Sequence, residues 1–175
     1  MYRDAITLAR TFCYMCLLKY RPQDIPASRE LLLLSVMIYF LLDLLLAKLD
    51  ANIKNALPAA LVDTVFLLVF VLALLLLCRK VNRWAQTVTA LAGTGIVFGL
   101  LLMPAVISLS GSDTMTPVQQ ILSILLYPVL IWFVVVVAHI FRHAMSSSFA
   151  LGAFISLLYL LLGVFIEFSI VYPDS

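Results

Sequence analysis

Long apolar stretches alternate with short polar segments along this chain of 175 residues. Five stretches stand out, at residues 31–49, 56–78, 84–109, 118–140 and 147–171. A helix rising about 1.5 Å per residue needs about 20 apolar residues to cross a hydrocarbon core about 30 Å thick. Backbone groups in lipid must bond within the segment, and the alternation of a membrane β-strand is not seen. The pattern predicts an all-α membrane protein with a five-transmembrane-helix bundle.

The composition leaves no material for a separate soluble domain. Hydrophobic residues make up 65% of the chain and charged residues 11%, whereas soluble domains carry about 25% charged residues. We therefore divide the chain into a cytoplasmic interfacial arm at residues 1–29 and a five-span transmembrane domain at residues 30–175. No cleavable signal peptide is predicted, because the first apolar stretch begins late and is too long.

The basic residues predict the orientation. Nine of the eleven Lys and Arg residues fall in one set of alternate segments, and only Lys48 and Lys54 fall in the other. By the positive-inside rule, the N-terminus is cytoplasmic and the C-terminus lies on the opposite side, which for a bacterial inner membrane is the periplasm. The net charge of +2 reflects this orientation and does not favour nucleic acid as a partner.

The arm carries a second helical pattern. Apolar residues recur at spacings of three and four over residues 5–20, with Arg10 and Lys19 at the polar margins. We predict an amphipathic helix that lies on the lipid surface or packs on the bundle; a docking helix for a partner protein is the alternative. Prolines after Arg21 end the helix, and Ser28 is expected to cap the first span.

Three acidic residues lie inside the predicted spans, namely Asp43, Asp63 and Glu167. A charge at the centre of a span costs about 2.5–3.5 kcal/mol on insertion scales, so each acid needs an explanation. The topology places all three at a similar depth in the outer third of the membrane. One interpretation is a cation- or proton-binding cluster. The other, which we favour from the sequence, is structural: water and headgroups near the interface lower the cost of the charges, and Lys48 or Lys54 neutralises one or two of the acids.

Small residues predict where helices approach closely. Gly95 and Gly99 form a GxxxG pair in the third span, and Gly152 and Gly163 belong to a small and polar stripe along the fifth. Such residues allow backbones to pack tightly in membranes. With five helices to pack, we expect these contacts to be made within one chain.

Basic and imidazole groups gather at the cytoplasmic end of the fourth span. They are His139, Arg142 and His143, of which Arg142 and His143 are placed to meet lipid phosphates or the last helix carbonyls. Together with Arg10, Lys19 and Arg21 of the arm, they are the predicted contacts to lipid or to a partner.

No cofactor or metal is predicted. Cys13 and Cys16 form a C-x-x-C, but two thiols are half of a tetrahedral zinc site, and the third cysteine, Cys78, is distant in sequence. We interpret these thiols as apolar filling. No catalytic signature occurs, so we expect no enzyme. A lipid-modifying enzyme that uses the region 139–143 is the remote alternative.

One segment resembles a known family. The run AHIFRHAM at residues 138–145, which leads into Phe149, Gly152 and Tyr159, is similar to the fourth-to-fifth span region of the Yip family, the Ypt/Rab-interacting membrane proteins and their bacterial relatives. Five spans with a cytoplasmic N-terminus resemble that family too. The resemblance implies a role in membrane organisation through partner proteins. This chain lacks the long N-terminal region of the eukaryotic members, so a bacterial relative is implied.

These observations predict a non-enzymatic membrane protein that assists assembly, scaffolding or membrane organisation through protein and lipid contacts. The partners expected are the bilayer and other membrane proteins or further copies of the chain. The alternative is a small cation- or proton-coupled transporter or channel subunit that uses the intramembrane carboxylates.

Overall fold

The computed structural model describes residues 2–49, 56–109 and 116–171. Within those ranges the chain forms six α-helices and two short 3₁₀ turns, at Pro22–Asp24 and Val81–Arg83, and no β-strand. The helices are α1 (Tyr2–Cys16), α2 (Arg29–Leu49), α3 (Ala56–Leu77), α4 (Trp84–Leu109), α5 (Pro117–Met145) and α6 (Phe149–Val171).

The helices α2 to α6 are each long and apolar enough to cross a membrane. This confirms the predicted all-α fold with five candidate spans and indicates an integral membrane protein. Successive spans run in opposite directions, so the bundle has two ends. We call the end that carries α1 and the α3–α4 and α5–α6 connections the arm end. The end where α2, α4 and α6 finish is the far end.

Helix α4 occupies the centre of the bundle. It contacts α1, α2, α3 and α5, while α6 packs on α5 and α3. Its residues 87–94 are all buried, as are residues 136–141 of α5 at the arm end, where α5 packs against α4, α6 and the arm. The core is therefore concentrated in the half of the bundle nearest the arm.

The predicted helix of the arm is present, but its extent was wrong and only part of its predicted apolar face is buried. The helix ends at Cys16 rather than at Tyr20, because Leu18 takes a left-handed conformation with φ 61° and the Lys19 amide turns back to the Tyr14 carbonyl. The side chains of Phe12, Met15 and Cys16 are buried, while other members of the predicted apolar face are exposed. Tertiary contact with α4 thus decides which face is covered.

The predicted end of the fourth span was also wrong. Helix α5 continues past residue 140 to Met145, so Arg142 and His143 belong to its last turn rather than to a loop. Packing explains the extension, since Phe141, Ala144 and Met145 are buried. The helix stops at Ser146, whose φ of 53° is left-handed. The cap predicted at Ser28 is present, with its hydroxyl accepting from the Leu31 amide.

Candidate functional site

A hydrogen bond between two span helices marks the polar interior of the bundle. The Tyr39 hydroxyl of α2 donates to a carboxylate oxygen of Asp63 on α3, with 2.5 Å between the oxygens. Gly95 of α4 provides the space for the tyrosine ring, because a Cβ at that position would lie 2.6 Å from Tyr39 Cε2. One half of the predicted GxxxG pair therefore positions Tyr39 against Asp63, within a single chain.

The three predicted acids converge on this hydrogen bond. Asp43 follows Tyr39 by four residues and so lies on the same face of α2. The charged groups that act on Asp43 in the described chain are Asp63 and Glu167, both acidic, and Asp63 also acts on Glu167. Helices α2, α3 and α6 thus bring three carboxylates within electrostatic range of one another.

Lys48, one of the two basic residues proposed to neutralise these acids, does not take that role. Lys48 is exposed near the end of α2, and the charges that act on Asp43, Asp63 and Glu167 do not include it. Lys54 lies outside the described residues. Within the described ranges, the carboxylate cluster therefore has no cationic counterpart.

A cavity of about 120 Å³ opens beside Asp63, between α3 and α6. Tyr159 and Glu167 of α6 line it with Asp63 and Tyr39. Tyr159 is only 7% exposed, and none of the hydrogen bonds of the described residues involves its hydroxyl. Gly163 lies in the same wall, where an added Cβ would come within 3.3 Å of the Phe66 ring.

A second cavity, of about 250 Å³, lies on the other side of Tyr39 between α2, α4 and α5. Asp43 and Gly99 line it, and it shares Tyr39 and Phe133 with the first cavity. Gly99 is in close contact with α2, because a Cβ there would lie 2.8 Å from Leu42 Cδ2. Tyr39 therefore stands between two cavities, each of which contains a carboxylate in addition to the one it binds.

An aromatic cluster lies on the arm side of these cavities. The ring centroids of Phe70 and Tyr159 are 5.2 Å apart, those of Phe141 and Tyr159 are 5.9 Å apart, and Phe66 stacks on Tyr159 at 5.3 Å. Such contacts pack as tightly as a protein interior. The carboxylate cluster is therefore separated from the arm end by an apolar layer.

The arrangement suits a proton or a hydrated cation. Clustered carboxylates hold protons because neighbouring negative charges cannot all persist in a poorly solvated site. In residues 2–49, 56–109 and 116–171, no group of three or more His, Cys, Asp or Glu side chains is spaced to hold a metal ion.

The arm end carries a different kind of polar structure. Arg83 donates through Nη1 to the His143 and Ala144 carbonyls, both at 3.1 Å, and to the Ser146 hydroxyl at 2.7 Å. Lys80 donates to the Met145 carbonyl at 2.5 Å. The last carbonyls of a helix have no partner within the helix and carry partial negative charge. Two cations of the α3–α4 connection thus cap α5.

This role of Lys80 and Arg83 was not predicted from the sequence. The last carbonyls of the fourth span were assigned to Arg142 and His143, which are nearest in sequence. A cation within the last turn points its side chain away from the carbonyls that end the helix, whereas a cation from a neighbouring connection can approach them directly. The signal that could have been used is the pair of basic residues in the connection that reaches the same membrane face.

The two histidines are in contact on α5. The rings of His139 and His143 are 4.5 Å apart at an interplanar angle of 68°. The Nε2 of His139 is 3.2 Å from the Tyr20 carbonyl, so it donates to that oxygen. Arg21 and Arg142 act electrostatically on both rings. Four of the six predicted lipid or partner contacts therefore gather at one place.

The other two predicted contacts, Arg10 and Lys19, meet at a different place on the arm. Arg10 donates to the Tyr14 hydroxyl at 3.0 Å, and Lys19 Nζ lies 5.7 Å from the centre of the same ring. The hydrogen bond from Arg10 lowers the pKa of the Tyr14 hydroxyl. All three side chains lie at the solvent-accessible side of the arm or at its margin.

The arm is fastened to the bundle by hydrogen bonds from span side chains to arm carbonyls. Trp132 donates to the Cys16 carbonyl and Gln86 to the Ile25 carbonyl, each at 2.8 Å. Gly93 of α4 receives the Phe12 ring, which would overlap any side chain at that position. The sequence pattern of the arm alone could not reveal these anchors, since they lie in other helices.

The two glycines of the α6 stripe differ in how closely they are approached. A Cβ at Gly152 would lie 2.5 Å from the Ala138 carbonyl oxygen and 3.0 Å from Arg142 Cβ. Helices α5 and α6 therefore meet backbone to backbone at the arm end, whereas Gly163 faces a side chain.

The three cysteines are free thiols. Cys16 is buried, and desolvation raises the pKa of its thiol to about 12, while Cys13 is exposed. A buried thiol with a raised pKa is inert at neutral pH.

Comparison of the chain with protein-family profiles, curated proteins and solved structures finds no match. A fold class alone does not determine function, which depends on the side chains of the site.

Proposed function

We propose that this chain is a non-enzymatic membrane protein, a bacterial relative of the Yip family, that organises the membrane or partner membrane proteins from its arm end. Its arm end would face the cytoplasm, and its C-terminus the periplasm of a bacterial inner membrane. The observation that supports the proposal is the anchoring of the arm to α4 and α5 by Gln86 and Trp132. An arm held in place displays the same groups to every partner.

The displayed groups are basic and apolar together. Leu17 is 53% exposed, and Leu18 and Tyr20 are exposed beside Lys19 and Arg21. Apolar side chains enter the interfacial layer, while each nearby Lys or Arg gains about 1 kcal/mol from an anionic membrane surface. The same combination fits the juxtamembrane part of another membrane protein.

Affinity purification in mild detergent tests this proposal. We expect a reproducible set of co-eluting membrane proteins or anionic lipids with the full chain. The variant Arg10→Gln/Lys19→Gln/Arg21→Gln, which removes three exposed charges and no buried contact, should lose them. Lys48→Gln at the far end is the matched control and should retain them. Equal recovery from the two variants would refute a role for the arm surface.

A second candidate function is favoured by the convergence of Asp43, Asp63 and Glu167 around the cavities. It is a small cation- or proton-coupled transporter or channel subunit. Flux measured in liposomes that contain the protein should disappear in Asp63→Asn and persist in Asp24→Asn, which removes an acid of the arm. Absence of flux in the unmodified protein under both a proton gradient and a cation gradient would exclude this candidate.

A further inference from the structure

Tyr159 has a hydroxyl that no packing role explains. Its ring is covered by Phe66, Phe70 and Phe141, and Asp43 and Asp63 act on its hydroxyl electrostatically. An apolar ring would pack there equally well, whereas none of the hydrogen bonds of the described residues involves the hydroxyl of this residue, which lines the cavity. A ligand in the cavity that Tyr159 lines would supply the missing partner.

We infer that the cavity lined by Asp63, Tyr159 and Glu167 is a proton-binding site that exchanges with the far side of the membrane. The inference rests on the second candidate function and names its ligand. It would hold whether or not the proton is carried onward.

The charges around the cavity favour a bound proton. The titratable groups that line it are Tyr39 on α2, Asp63 on α3, and Tyr159 and Glu167 on α6, while Asp43 lines the neighbouring cavity on the other side of Tyr39. The described parts of α4 and α5 line the two cavities with glycine and apolar residues alone. Three carboxylates in range of one another without a cation repel strongly in low dielectric. Binding one proton removes one of these charges.

Hydrogen bonding identifies where the proton can reside. One oxygen of Asp63 accepts from Tyr39, and its other oxygen is available to carry a proton. The Tyr159 hydroxyl can accept a hydrogen bond from that carboxylic acid, directly or through water. A water needs about 10–15 Å³ of such space, so the cavity of about 120 Å³ has room for a short chain of waters.

The exchange reaction balances without a further reactant. A hydronium ion at the far side gives its proton to the Glu167 carboxylate, leaving water and a carboxylic acid. That acid passes the proton through cavity water to Asp63 and is itself restored as a carboxylate. Release follows the same steps in reverse. Because Phe70 and Phe141 close the arm side, exchange proceeds toward the far end.

Infrared difference spectroscopy of the full chain in lipid nanodiscs tests this inference, with pH as the probe. We expect a protonated-carboxyl band that persists to neutral pH, is lost in Asp63→Asn and changes its titration in Glu167→Gln. Tyr159→Phe should change the proton affinity of the band about two- to tenfold, the effect of one hydrogen bond. Tyr127→Phe, which alters an exposed tyrosine of α5, is the matched control and should leave it unchanged.

Each other outcome counts against the inference. Absence of the band at neutral pH would mean that no proton is bound. Equal titrations of the band in Tyr159→Phe and Tyr127→Phe would mean that the Tyr159 hydroxyl does not contact the bound proton. If Asp63→Asn does not fold, the titration of Glu167→Gln decides, since Glu167 lies at the accessible edge of the cavity. Flux without the band would support transport and contradict the proton-binding site. The band without flux would support the proton-binding site and contradict transport.

Discussion

The two halves of the bundle are built differently, and α5 shows the contrast within one helix. Its residues 136–141 near the arm are all buried, whereas Leu125, Tyr127 and Leu130 in its other half are exposed. Near the arm, cations and amides bond to backbone carbonyls of neighbouring elements. From the middle of the bundle toward the far end, the helices meet through a side-chain pair, Tyr39 with Asp63, between two cavities.

We call the arm half the platform and the far half the responsive region, because their packing differs in how easily it can change. Dense packing and satisfied carbonyls give the arm half a single arrangement, because any opening exposes several groups at once. Cavities and a side-chain hydrogen bond allow the far half to rearrange at smaller cost, as regions of low local stability commonly do. We therefore expect substitutions in the arm half to lower the stability of the fold. Substitutions in the far half should mainly change function.

The labelling rate of the Cys16 thiol shows whether the arm is docked on the bundle, and this rate is the quantity for which we expect the largest change. Its pKa of about 12 lies well above neutral pH, so the thiolate that reacts with maleimide is scarce. In the variant Cys13→Ser/Cys78→Ser, we expect Cys16 to be labelled about a thousandfold more slowly than a free peptide thiol, and faster as the pH rises.

The matched control for this labelling is Phe12→Ala in the same background. It removes the ring that Gly93 receives, so it should loosen α1 and expose Cys16. Rapid labelling of Cys16 without the Phe12 change would show that the arm does not rest on the bundle.

Substitutions of two glycines of α6 allow the stability of the two halves to be compared directly. Gly152→Ala should destabilise the protein by about 1–3 kcal/mol, because its Cβ meets backbone at the arm end and the helices must separate. Gly163→Ala meets only the edge of Phe66 and should lie within about 0.5 kcal/mol of the unmodified protein. Thermal unfolding in one detergent measures both. Equal losses would contradict the difference in packing.

The sequence predicted what depends on apolar length and on local spacing. The five spans, the cap at Ser28 and the close approach at Gly152 follow from patterns within one segment. The buried face of the arm could not be predicted in this way, because Met15 is covered by another helix and the arm pattern is compatible with several faces. Partner choices such as Tyr39 with Asp63 depend on how helices are arranged around α4, which no single segment encodes.

Removal of the Arg83 side chain tests how much its hydrogen bonds to the end of α5 stabilise the arm half. Arg83→Ala leaves the Ala144 carbonyl without its side-chain donor, while the His143 carbonyl still accepts from Gln23 Nε2 and the Ser146 amide, and we expect a loss of about 1–2 kcal/mol because Arg83 is only partly buried. Arg79→Ala, at an exposed residue of the same connection, is the control and should be neutral. Chemical denaturation followed by far-UV circular dichroism gives both values; a neutral Arg83→Ala would mean that water replaces the cap.

The smallest effect is expected in the far half. Tyr39→Phe removes the hydroxyl that donates to Asp63 but keeps the ring that fits against Gly95. One neutral donor is worth about 0.5–1.5 kcal/mol, and cavity water can replace part of it, so we expect a loss below about 1 kcal/mol in the same denaturation experiment. Tyr127→Phe provides the baseline for a tyrosine hydroxyl outside the cluster. A loss as large as that of Gly152→Ala would mean that the Tyr39–Asp63 pair holds the fold together, and the division between platform and responsive region would fail.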